Sequence, residues 1–281
     1  MNRIVETASA SSVAPAASAS SPSWGERFKS LFRRRPRPWL SDSSVPYPAG
    51  MPFLYDPSQY SFVPHVEANW RTIRAELLAA LNIADSGLEP YKDIAKTDKK
   101  AAWRTAGLMY WTMKSKENIA RFPKTWEIFK DIPNLTSCSI HLLEPHSTIK
   151  PHIGDTDAML RCHMGLVVPA PLPRCGFRVG NEMTSWEEGK VFIFNDAREH
   201  TAWNNTDQNR YVISFDVILP QYAGIRHWIA AQVLGKIYVE VMYQHKAWLR
   251  PYAKVKWINT LLHKVSKLIW YGKVRLRARL P

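Results

Sequence analysis

Pro151-His152-Ile153-Gly154, Leu160-Arg161-Cys162-His163-Met164-Gly165-Leu166-Val167-Val168-Pro169, Trp186-Glu187-Glu188-Gly189-Lys190-Val191 and Phe194-Asn195-Asp196 fall in the part of the chain whose reading decides its fold. From Thr136 onward, short apolar runs follow one another, punctuated by Pro and Gly. That pattern predicts strands over 137–143, 148–152, 160–168, 176–180, 190–195, 199–203 and 209–218. Upstream, Val66, Trp70, Ile73, Leu77, Leu78 and Leu81 sit at helical spacing and predict an amphipathic helix over 65–83. A polar loop is expected over 84–102 and a short helix over 123–132. The run 108–113 reads as a strand, though it is too short for periodicity to exclude a helix. Helices first and strands after fit a mainly β chain: a jelly roll with an N-terminal helical buttress.

The polar residues on these strands carry the chemistry. His152 and His200 are followed, ten positions after the second, by Arg210 on an apolar run. Non-haem Fe(II) suits imidazole ligands with open positions beside them. A guanidinium recognises a carboxylate with two parallel hydrogen bonds. Two histidines and then an arginine is the order required by an iron oxygenase that uses 2-oxoglutarate and O2. Either histidine alone reads as a packed core residue, and Arg210 alone as a surface ion pair. The joint pattern is what points to a metal. His141 reads as a residue behind the ligands or facing substrate, and His146 as a loop residue.

These residues, with Glu199-His200, Arg210 and Asp216-Val217, resemble the aspartyl/asparaginyl β-hydroxylase family of Fe(II)/2-oxoglutarate dioxygenases, over roughly residues 45–222. The resemblance implies a double-stranded β-helix (a cupin-like jelly roll). It implies iron on His152 and His200, 2-oxoglutarate on Arg210, and Arg161 and His163 facing the cosubstrate. Most iron oxygenases carry an acid two residues after the first histidine, where this chain has Gly154. The aspartyl hydroxylase branch also has glycine there, with water completing the iron shell. The lipid A hydroxylase branch has Asp. Asp155 is the alternative third ligand.

Composition sets the boundaries. The 281 residues are ample for one sizeable core. Cys138, Cys162 and Cys175 form no CxxC pair, which argues for a reducing compartment and against a disulfide or zinc framework. The net charge of +14 is uneven: residues 41–240 carry 21 Lys and Arg against 22 Asp and Glu. Residues 241–281 carry ten basic residues and no acid, and 24–40 carry six against Glu26. Trp24, Phe28, Leu31 and Phe32 make one amphipathic stripe in these flanks. Val255, Ile258, Leu261, Leu262, Val265, Leu268 and Ile269 make a second, which suits either packing on the domain or an anionic lipid surface. No apolar run approaches the roughly 20 residues of a transmembrane helix. No motif for nucleic acid accompanies the charge.

The expected organisation is a disordered leader with a basic amphipathic segment (1–40), a dioxygenase domain (41–222) and a basic helical tail (223–281). The expected protein is a cytoplasmic hydroxylase of a C–H bond, with the inner face of a membrane as a peripheral location. Its substrate is a membrane lipid or, alternatively, an aspartyl or asparaginyl residue or a small peptide-like metabolite. A non-catalytic jelly-roll binding module is the third reading, and no oligomeric state is specified.

Overall fold

The computed structural model describes residues 37–278 except 44, 49, 84 and 85, so the leader and the Trp24–Phe32 stripe lie outside the described residues. From Arg37 onward the chain forms one compact unit. Its strands are β1 (Leu54–Tyr55), β2 (Glu89–Pro90), β3 (Trp103–Tyr110), β4 (Met113–Lys114), β5 (Leu135–Leu143), β6 (Ser147–His152), β7 (Met159–Val167), β8 (Cys175–Val179), β9 (Glu182–Thr184), β10 (Val191–Phe194), β11 (His200–Asn204) and β12 (Arg210–Ile218). The helices are α1 (Val63–Ala68), α2 (Trp70–Leu81), α3 (Lys116–Arg121), α4 (Pro123–Phe129), α5 (Arg226–His245), α6 (Arg250–Ala253) and α7 (Lys256–Arg277).

One sheet runs β1-β10-β7-β12-β5-β3-β2, with β4 on β3, and a second runs β6-β11-β8-β9. The strand pairs within both are antiparallel. Two such sheets form the cupin-like jelly roll expected from the strand pattern. The seven predicted strands appear within two residues of their expected ends.

The period-2 alternation of side chains sorts the large sheet into two faces. Cys138, Ile140 and Leu142 on β5, Leu160, Cys162 and Met164 on β7, and Tyr211, Ile213 and Phe215 on β12 pack with Val66, Ile73, Leu77, Phe122 and Phe129 of the helical buttress. Truncating a ring such as Phe215 in that layer should cost about 3–5 kcal/mol. The alternate residues face inward. Leu143 and Val212 meet Ile149, Phe177, Val179 and Ala202 of the small sheet in a second core. A third cluster packs α5 against Met159 and Ile218 at the ends of β7 and β12.

Three expectations change. The helix over 65–83 is two helices, because the Asn69 side chain donates to the His65 carbonyl at 2.9 Å and competes with the helical ladder. The 84–102 loop contains β2 and a 3-10 turn capped by Asp93. The mechanism asks the strand over 209–218 to bring Arg210 beside the metal strand. Instead β12 sits between β7 and β5 in the large sheet, while β6 and β11 belong to the opposing one.

Candidate active site

His152 ends β6 and His200 begins β11, and the two are register partners in the small sheet. Their ring centroids lie 4.2 Å apart. Each Nδ1 lies 2.8 Å from a carbonyl two residues back, Lys150 for His152 and Arg198 for His200. A carbonyl only accepts, so each Nδ1 carries the proton and each Nε2 keeps its lone pair. Burial, chiefly, holds both imidazoles neutral, with pKa values lowered to about 3. Two adjacent neutral imidazoles with free Nε2 atoms offer the kind of donor that first-row metals take.

The position two residues after His152 is filled in an unusual way. Gly154 N donates to the Asp196 carbonyl at 2.7 Å. A Cβ on Gly154 would collide with the Asp196 carboxylate, whose Cγ lies 2.5 Å from that point. Asp196 Oδ1 in turn lies 3.3 Å from His200 Nε2. Two electron-pair acceptors therefore face each other, an arrangement an added cation would relieve. Asp155 points elsewhere: its Oδ1 accepts from Lys236 Nζ at 2.7 Å and from Ser41 Oγ at 2.9 Å. Among the described residues no group of three or more His, Cys, Asp or Glu side chains could hold a metal.

The opposite wall comes from the inward face of the large sheet. A cleft of about 450 Å³, counting its solvent-open part, is lined by His152 and His200 on one side and by His141, Arg161, His163 and Arg210 on the other. Arg161 is fixed by two acids: Nη1 donates to Asp196 at 2.5 Å, and Nε and Nη2 donate to Asp216 at 2.8 and 3.0 Å. That uses three of its five donors.

Arg210 is the opposite case. It is 1% exposed, its guanidinium lies 4.2 Å over the Trp186 ring, and no acid among the described residues pairs with it. Its Nε has no hydrogen-bond partner, and burial lowers its pKa to about 10. The Nδ1 of His163 and the Nε1 of Trp186, both on residues lining the same cleft, are likewise buried without partners. Burial, first of all, pushes His163 well below the usual histidine range. An isolated buried charge is expensive, so this corner has the chemistry of an anion site.

All five residues singled out from the sequence for iron and cosubstrate thus line one cleft. His141 lines it too, kept neutral by burial that lowers its pKa to about 3, with Nδ1 accepting from Trp103 Nε1 at 3.1 Å and Nε2 2.7 Å from Ser139 Oγ. His146 sits in a turn, 2.8 Å from Asp207. Sequence reading gave no role to Asp196, although its place four residues before His200 was visible, or to Trp186 as the ring beneath Arg210.

The family model described as aspartyl/asparaginyl beta-hydroxylase matches residues 67–220. The chain belongs to this family. The ornithine lipid ester-linked acyl 2-hydroxylase of Rhizobium tropici is 34% identical over 220 residues, covering 75% of this chain and 78% of the relative. Human aspartyl/asparaginyl beta-hydroxylase is 32% identical over 164 residues, covering 57% of this chain and 21% of the relative. These relatives are hydroxylases, and so is the chemistry of this member of the family.

Proposed function

We propose that this hydroxylase uses Fe(II), 2-oxoglutarate and O2 to hydroxylate a C–H bond in the acyl part of a membrane lipid. The observation that carries the cosubstrate is the buried, acid-free Arg210, which lines the same cleft as the paired histidines. The observation that favours a lipid is the R. tropici relative, whose similarity extends beyond the region matched by the family model.

In this reading His152 and His200 hold iron through Nε2, with their Nδ1–H groups pinned to backbone carbonyls. Arg210 donates to the distal carboxylate of 2-oxoglutarate, and its stacking on Trp186 keeps the guanidinium plane fixed. His163 faces the cosubstrate from β7. Arg161 pairs with both Asp196 and Asp216 and so fixes the position of the carboxylate beside His200. Ile149, Phe177 and Val212 give the cleft an apolar part, which suits a methylene chain. The bound iron with its cosubstrate supplies the oxidising chemistry.

The alternative substrate is an aspartyl or asparaginyl side chain, favoured by Gly154. A cytoplasmic enzyme peripheral to the membrane suits the lipid reading. The deciding experiment incubates the full chain with Fe(II), 2-oxoglutarate and either an anionic lipid extract or acidic peptides. The lipid reading expects succinate release coupled to one added oxygen on an acyl chain. Oxygen added only to peptide would replace the lipid reading. No succinate from any mixture would remove the 2-oxoglutarate chemistry.

A further inference from the structure

The helix α7 is apolar on both sides, and only one side is covered. Ser266 and Val274 are buried on the side that faces α5, and Trp270 joins the cluster there. Gly235 of α5 makes this close packing possible, because a Cβ there would lie 2.6 Å from Lys267 Cα. The other side of α7 carries Trp257, Leu261, Val265, Leu268, Ile269 and Leu276, exposed by 69, 52, 45, 72, 51 and 64%. At 100° per residue these six fall on an arc roughly opposite Ser266 and Trp270. Among the described residues nothing covers them.

Exposed apolar patches of this kind mark interaction sites. Charge identifies the partner. Lys256 and Lys264 border a shallow groove around Trp257 and Leu261. The whole stretch 241–281 has ten basic residues and no acid. A second copy of the chain would bring like charge to like. An anionic bilayer meets both requirements at once, with headgroups for the lysines and an apolar layer for Trp and Leu. No helix among the described residues is long and apolar enough to cross a membrane, so the helix would lie in the interface.

We infer that the outward face of α7 docks the enzyme on an anionic lipid surface, with Trp257, Leu261, Leu268 and Ile269 inserting and Lys256 and Lys264 meeting headgroups. The docked helix is tied to the catalytic loop. Lys267 bonds Asp42 at 2.5 Å, and the neighbouring Ser41 bonds Asp155, which is also held by Lys236 of α5. Asp155 follows Gly154 directly. The inference rests on the lipid-substrate reading for its purpose, but binding alone decides it.

The test sediments the full chain with phosphatidylcholine vesicles, with and without phosphatidylglycerol. Wild type should sediment with the anionic vesicles at low salt and release at high salt. L261Q/L268Q should bind on the order of tenfold more weakly, and K256E/K264E should lose the preference for phosphatidylglycerol. Both variants touch only exposed positions and should keep the wild-type circular dichroism spectrum and melting temperature, which checks the fold. Equal binding of the variants and wild type, or no binding by wild type, overturns the docking surface. A dimer in solution that L261Q/L268Q dissolves, without vesicle binding, assigns the face to a second copy and also overturns it. If vesicle binding depends on these residues but no detergent-dispersed lipid gains oxygen, docking stands and the lipid-substrate reading falls.

Discussion

The carboxylate of Asp196 occupies the space that any side chain at position 154 would need. The usual iron-binding acid cannot simply be restored here, because Asp196 would meet it. Gly154→Asp should lower the melting temperature, as overpacking costs about 1–3 kcal/mol, and should not tighten Fe(II) binding. Adding Asp196→Ala to that variant removes the carboxylate and should recover only part of the stability, because the Asp196 backbone carbonyl still lies 2.7 Å from the added Cβ. Thermal melts and Fe(II) titrations of the single and double variants check this. A single Gly154→Asp variant with normal stability and tighter iron would show that the two side chains do not compete.

The histidine pair is the second test. His152→Ala and His200→Ala should each abolish succinate release and weaken Fe(II) binding sharply, since each removes one of two imidazole donors. Far-UV circular dichroism should remain unchanged. Normal turnover in both variants would reject the assignment.

Arg210 separates stability from function. Its buried charge lacks a partner in the cosubstrate-free protein, so Arg210→Met should leave the apo-protein as stable as wild type or up to a few kcal/mol more stable. The same change leaves the cosubstrate carboxylate unpaired and should weaken 2-oxoglutarate binding by about 2–5 kcal/mol. Arg210→Lys should restore only part of the affinity, because an ammonium cannot make the two parallel bonds of a guanidinium. Denaturant titration and cosubstrate binding report the two effects separately. A destabilised Arg210→Met apo-protein with unchanged cosubstrate affinity would make the residue structural.

The inward positions of β12 and β7 were legible because alternation alone separates Arg210, Val212 and Ser214 from Tyr211, Ile213 and Phe215. The sheet that β12 joins was not legible, since strand order depends on pairings between distant segments that leave no local mark. The Gly154–Asp196 contact was hidden for the same reason: it joins two loops 42 residues apart. The apolar stripe of α7 was visible in the sequence, but which side of the helix packs was not. On the buried side the Lys267 backbone packs against Gly235 beside a buried Ser266, and such small residues carry no hydrophobic signal.

The neutral histidines predict acid sensitivity. His141, His152 and His200 have folded pKa values near 3 against 6.5 in the unfolded chain. The folded protein therefore binds fewer protons below pH 6.5. Its stability is fully present above that pH and is lost as pH falls toward the folded values. Each histidine contributes a slope of up to about 1.4 kcal/mol per pH unit in that window. The urea midpoint of the metal-free protein should fall between pH 7 and 5, and His141→Phe should flatten the slope. A midpoint constant over that range would contradict the burial of these rings.

Asp155 is tied to the C-terminal helices, not aimed into the cleft. Lys236 lies between Asp155 at 2.7 Å and Glu240 at 3.3 Å, and its side chain is 20% exposed. Asp155→Ala should therefore keep Fe(II) affinity and turnover, with a modest loss of stability, because Glu240 still partners the lysine. Lys236→Met removes the shared cation, leaves two partly buried acids unpaired and should destabilise more, by about 1–3 kcal/mol. Asp155→Ala combined with Lys236→Met should recover part of that loss, since it removes one of the stranded acids. Iron titration and denaturant unfolding of the three variants give the comparison. Loss of Fe(II) binding in Asp155→Ala with the fold preserved would instead make Asp155 the third ligand.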